Sequence, residues 1–225
     1  MPGVIGNKTA ALAVLGILLA AVPAPAQMCE GLASFSGRPV QVYGAGGFKS
    51  DSRVVAGGVA LGGTGAFLNF ESGTIQIDAF NRSAYQTAVG VGYQVALNQK
   101  GTAQLCPLAN WTHLWGPDNV LGTGLDYNEQ HSTLGAMAGF VAARRGRLAV
   151  IPTAALAFML TSSQLADTSG HAVSSTSMMF GMVGLGVGLV LDEQVTIRPA
   201  LEIPVGGMGG PAFQIMLGVN LGKGH

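Results

Sequence analysis

Between Tyr85 and Leu97 the bulky apolar residues recur at every second position. Tyr85, Val89, Val91, Tyr93, Val95 and Leu97 fall on one face, and Gln86, Ala88, Gly90, Gly92, Gln94 and Ala96 on the other. That is the period of a strand, since successive Cβ atoms point to opposite sides of a sheet. The same split returns in 183–191, 195–205 and 213–221. A soluble sandwich or soluble barrel also alternates, but it shows water a charged face. Here the second face is Gly, Ala, Gln, Asn and Thr, and charged residues are only 10% of the 225-residue chain, against about 25% in soluble domains. A closed antiparallel barrel in lipid resolves the pattern. Lipid takes the bulky face, the curved interior takes the small and polar one, and closure removes the strand edges that lipid cannot hydrogen-bond. The expected class is therefore all-β, an up-and-down transmembrane β-barrel. The 48% hydrophobic content excludes disorder, and 35 glycines without a three-residue period exclude collagen. A formal charge of zero gives no electrostatic case for nucleic acid.

The N-terminus reads as an export signal. Lys8 is followed by the apolar run Ala10 to Val22, too short to span a bilayer, and then by Ala24, Pro25 and Ala26. Cleavage is expected between Ala26 and Gln27, giving a signal at 1–26, a periplasmic N-terminal segment at 27–39 and the barrel at 40–222. An uncleaved anchor is the alternative, and Met28 before Cys29 argues against lipid attachment. Export places the two cysteines in an oxidising compartment, where Cys29 and Cys106 are the only possible pair. A redox or metal role lacks any C-x-x-C or Cys/His spacing.

Turn signals set the strand count. Tight connections stand at Gly62 to Gly65, Asn98 to Gly101, Arg144 to Gly146 and Asp192 to Gln194. Longer polar links stand near Lys49 to Ser52, Ala79 to Ser83, Pro117 to Asn128, Leu165 to Ser174 and Gly206 to Gly210. Four tight turns alternating with five longer links imply ten strands with the tight turns periplasmic; eight is the alternative, because the first two segments are short and broken by glycine. Pro107, Pro152 and Pro199 each follow a tight turn by six residues, a weak internal repeat. Proline cannot donate to a ladder, so each is expected at a bulge or a hydrogen-bond-free position near the periplasmic rim. Cys106 falls near the same rim with inward parity, so a bridge to Cys29 would clip the N-terminal segment across the lower mouth.

With its signal, hairpin rhythm and glycine-rich strands such as AVGVGYQVAL and GLGVGLVL, the chain resembles the small Gram-negative outer-membrane β-barrels of the OmpA-like and opacity-type superfamily. The resemblance spans roughly Val40 to Gly222. It implies a location in the bacterial cell outer membrane, lipid as the surrounding partner and handling by the barrel-assembly machinery. One departure is the end, Asn220-Leu-Gly-Lys-Gly-His225, where such barrels commonly finish on an aromatic residue.

For the site, Arg198 and Glu202 share an inward face four residues apart and are the expected lumen charges, as a structural ion network or a selectivity feature. Glu71 and Asp78 lie on or near another strand with parity blurred by Ser72-Gly73. Tyr85, Trp111 and Trp115 lie outward near the loop side, where an aromatic belt is expected. His113, His131, His171 and His225 have carboxylates nearby in Asp126, Glu129 and Asp167, yet no serine sits in a nucleophile elbow, so an enzyme is the least expected function. No metal or cofactor is expected. The leading expectation is a structural or narrow passive-channel, porin-like role. The alternative is a binding barrel, acting through its loops or through an apolar ligand in the lumen against Met137, Met159 and Met216, so a small solute or an apolar ligand is the expected small-molecule partner.

Overall fold

The computed structural model describes residues 39–222 apart from 63–64, 79–81, 119–123, 168 and 207–209; the expected signal, Cys29 and the segment after it lie outside the described residues. The elements are β1 (Val40–Lys49), β2 (Ser52–Gly62), β3 (Ala66–Ile77), β4 (Arg82–Tyr93), β5 (Val95–Ala96), β6 (Ala103–Trp115), β7 (Asp126–Phe140), β8 (Ala143–Arg145), β9 (Leu148–Ala166), β10 (Ala172–Leu191), β11 (Val195–Val205) and β12 (Ala212–Leu221). Ten are staves, each antiparallel to its chain neighbours, while β5 and β8 are short continuations paired to β6 and β9. β12 pairs with β1 from Val40↔Leu221 to Phe48↔Phe213 and closes the cylinder. The ten-strand count is therefore the one adopted. Ladder partners run around the wall from Val40 through Leu61, Leu68, Val91, Ala109, Leu134, Phe158 and Gly181 to Val205, from the bottom of β1 to the top of β11, the stagger a tilted barrel requires.

The parity read from the sequence holds in the four segments that displayed it, 85–97, 183–191, 195–205 and 213–221. Leu156 and Phe158 on β9 stand 68% and 69% exposed outward, a face no water-soluble protein leaves bare over a whole cylinder. Two links differ from expectation. Lys49 to Ser52 is a tight turn, because Lys49 and Ser52 still pair and only Ser50 and Asp51 lie between them. Leu165 to Ser174 is strand at both ends: β9 continues to Ala166 and β10 begins at Ala172, leaving only 167–171 between them. The serines and threonines there suggest a loop, but they form rungs such as Thr176↔Ser163. A turn rich in polar residues and a strand rising above the lipid have the same composition.

The three prolines face outward, each opposite an interruption in the ladder to the preceding strand. Pro107 faces the gap between the Gly92↔Leu108 and Val95↔Leu105 rungs, where β4 gives way to β5. Pro152 faces the junction of β7 and β8, and Pro199 lies where the β10–β11 rungs jump from Gly186↔Ala200 to Leu189↔Ile197. The missing N–H thus costs a rung on one side of each rising strand. That correction replaces the idea of a hydrogen-bond-free phase, since in a closed barrel every backbone group has a neighbour to bond.

The inward glycines are slots for large side chains on the next strand. A Cβ on Gly58 would collide with the Tyr43 ring, one on Gly92 with the Phe67 ring, and one on Gly186 would lie 2.9 Å from Arg198 Nε. Alternating very small with large inward residues is how a narrow cylinder reaches interior packing density.

Candidate functional site: the lumen

The lumen has two halves. In the lower half, at the end bearing the turn at Asp192–Gln194, inward side chains fill the cross-section. Gln41 Nε2 donates to Asn220 Oδ1 at 2.7 Å, and Gln104 and Ile151 are fully buried. Phe67, Cys106 and Met137 pack together, with Leu108 against them. Arg198, 4% exposed, caps this layer: its Nε donates to Thr153 Oγ1 at 3.3 Å and its guanidinium lies on Met216 Sδ at 3.9 Å. Cys106 is buried inward at the expected level.

Above Arg198 the lumen opens. A cavity of about 210 Å³ is lined by Asn69, Glu71, Asn110, Glu202 and Gln214. Glu202 accepts a hydrogen bond from Gln214 Nε2, and the Tyr43 hydroxyl donates to Glu71. The two expected lumen charges therefore share a face but go to different partners, Arg198 down toward Thr153 and Glu202 across to β12. Asn69 Oδ1 and Asn110 Oδ1 are buried and, among the described residues, accept no hydrogen bond. They converge over Gly90, where an added Cβ would collide with Asn69 Oδ1 and lie 3.3 Å from Asn110 Oδ1.

Glu202 also lines a second cavity above, of about 370 Å³, so the two adjoin at that residue. Its wall is apolar, from Met159, Met178, Phe180 and Met182, with Lys49, Glu129 and His131 toward its upper side. His131 hydrogen-bonds Thr161 Oγ1 at 3.0 Å through Nδ1 and lies 3.3 Å from Glu129 Oε1, which itself accepts from the Tyr127 hydroxyl through its other oxygen. The chamber is walled unevenly. β10 runs from Ala172 to Phe180 beyond its last rung with β11 at Gly181↔Val205, and along that stretch its only ladder partner among the described residues is β9.

Outside, Tyr85 and Trp115 stack at 5.9 Å, His113 lies 4.2 Å from Trp115, and Trp111 follows at 5.8 Å from His113. This strip is at the upper end of β4 and β6, as the parity predicts. His171 is in the exposed β9–β10 turn beside Asp167, whereas His131 is inside the chamber. Met159 lines the upper cavity, and Met137 and Met216, packed against the lower layer, line the smaller cavity beneath it. Sequence reasoning missed Tyr43, Tyr127 and the inward direction of Glu71; reading Ala66 to Ile77 as one uninterrupted period-two strand finds the last.

Neither a protein-family profile nor a curated protein sequence matches the chain. Solved structures do, at low identity. They include CdiB from Acinetobacter baumannii (13% identity, 78% of this chain and 34% of that one, TM-score 0.41), Ail of Yersinia pestis (12%, 80% and 92%, 0.43) and the translocator domain of NalP from Neisseria meningitidis (13%, 96% and 98%, 0.40). The chain thus spans about a third of CdiB and nearly all of the other two. It is similar to outer-membrane β-barrels and shares their closed antiparallel architecture.

Proposed function

We propose that this protein is an outer-membrane barrel, closed to through-passage, that holds a small ligand in a chamber opening at its upper end. The observation that carries this reading is the division of the lumen: a packed lower half capped by Arg198, and two adjoining cavities above it that share Glu202. The exposed apolar wall supports placement in lipid, and the export signal with tight turns at the lower end supports an orientation in which the chamber faces outward. Of the two sequence expectations, the geometry favours the binding barrel over the narrow channel.

Planar-bilayer recording tests it. Wild-type protein, shown to be folded by heat-modifiable gel migration, is expected to give no discrete conductance steps, whereas Phe67→Ala with Arg198→Ala removes two filling side chains and opens them. Steps from the wild type would make the protein a channel and overturn the binding reading.

A further inference from the structure

We infer that the two adjoining cavities are one site for a single-chain amphiphile with a primary ammonium head, the head among Asn69, Asn110, Glu71 and Glu202 and the tail among Met159, Met178, Phe180 and Met182. This rests on the reading of the upper lumen as a ligand chamber. Three observations select the head. Two buried amide oxygens without a donor converge over Gly90, and buried acceptors left unpaired are costly enough that a donor is normally supplied. A primary ammonium carries three N–H donors on one atom. The same cavity holds two carboxylates, Glu71 and Glu202, against one guanidinium, that of Arg198, which also lines it and donates its Nε to Thr153, so carboxylates outnumber cations there by one. Finally, the polar cavity lies below and the apolar one above, so the ligand enters head first and leaves its tail near the mouth. The upper cavity alone is within the roughly 300–1,000 Å³ range of small-molecule sites, and flexible methionines suit a tail of variable length.

The test uses three probes with the same 12-carbon tail, dodecylamine, dodecyltrimethylammonium and dodecanol, at pH near 7 where a primary amine is charged. The protein is refolded into phosphatidylcholine nanodiscs and its methionine methyls are followed by NMR. Met159, Met178 and Met182 report the chamber, while Met179, 71% exposed on the outer face, reports partition into lipid. The expected result is saturable shifts of the chamber methyls with dodecylamine, about tenfold tighter than with either other probe. Asn110→Leu and Glu202→Gln, each confirmed folded by gel migration, abolish that preference. Equal affinity for all three probes overturns the ammonium assignment and leaves the chamber standing. Shifts at Met179 alone overturn both.

Discussion

Gly186 has no side chain because Arg198 Nε and Thr153 Oγ1 lie 2.9 and 3.0 Å from where its Cβ would be. Neither neighbour is free to retreat, since Arg198 is held by Thr153 and by Met216. Gly186→Val is therefore expected to lower stability by about 1–3 kcal/mol, the cost of overpacking a filled interior, read as a lower urea midpoint for the folded gel band. A midpoint equal to wild type would mean that Arg198 does not occupy that slot. Trp111 and Trp115 are the protein's two tryptophans, which makes the aromatic belt directly measurable. Their fluorescence is expected to be quenched most by lipids labelled near the headgroups and least by lipids labelled at the chain ends. The reverse order would remove the belt assignment.

At the scale of elements, β9 and β10 rise highest and their turn is held by Asp167. Its carboxylate accepts from the Ser169 hydroxyl at 2.6 Å and from the backbone N–H groups of Ser169 and His171 at 3.0 and 2.9 Å. The Ser169 hydroxyl above all, then the His171 N–H, hold the group below its ordinary value. A carboxylate with a depressed folded value contributes its stabilisation fully above the unfolded value of about 3.9 and loses it as pH falls through the folded one. Amide exchange at Ser169 and His171 is expected to stay slow down to the ordinary aspartate range and to quicken below it. In Asp167→Ala it is expected to be fast at every pH. Protection independent of pH would show that the ladder alone orders the turn. The same hairpin shows where local reading of the sequence stops. Its apolar rungs from 183 to 191 are legible, but Ser174 to Ser177 are strand only because β9 supplies partners from 162 to 165.

For the whole molecule, the buried inward Cys106 sits in the lower half beside Phe67 and Met137, and the Cys29–Cys106 bridge remains a proposal carried by export and by that position. Intact mass without reductant is expected to be two hydrogens lighter than with it, and Cys29→Ser is expected to lower the urea midpoint, since a disulfide typically stabilises by about 2–4 kcal/mol. A full complement of two thiols in unreduced protein would rule the bridge out. The sequence by itself determined the barrel, its closure and the facing of most staves, because period-two alternation and the scarcity of charge are local properties that any window of the chain displays. Only the tertiary structure decided that the cylinder is stopped below and hollow above. That outcome depends on which side chains the shear brings to one level, as with Tyr43 over Gly58, Arg198 against Thr153 45 positions away, and Asn69 meeting Asn110 over Gly90, and no single strand's pattern encodes those meetings.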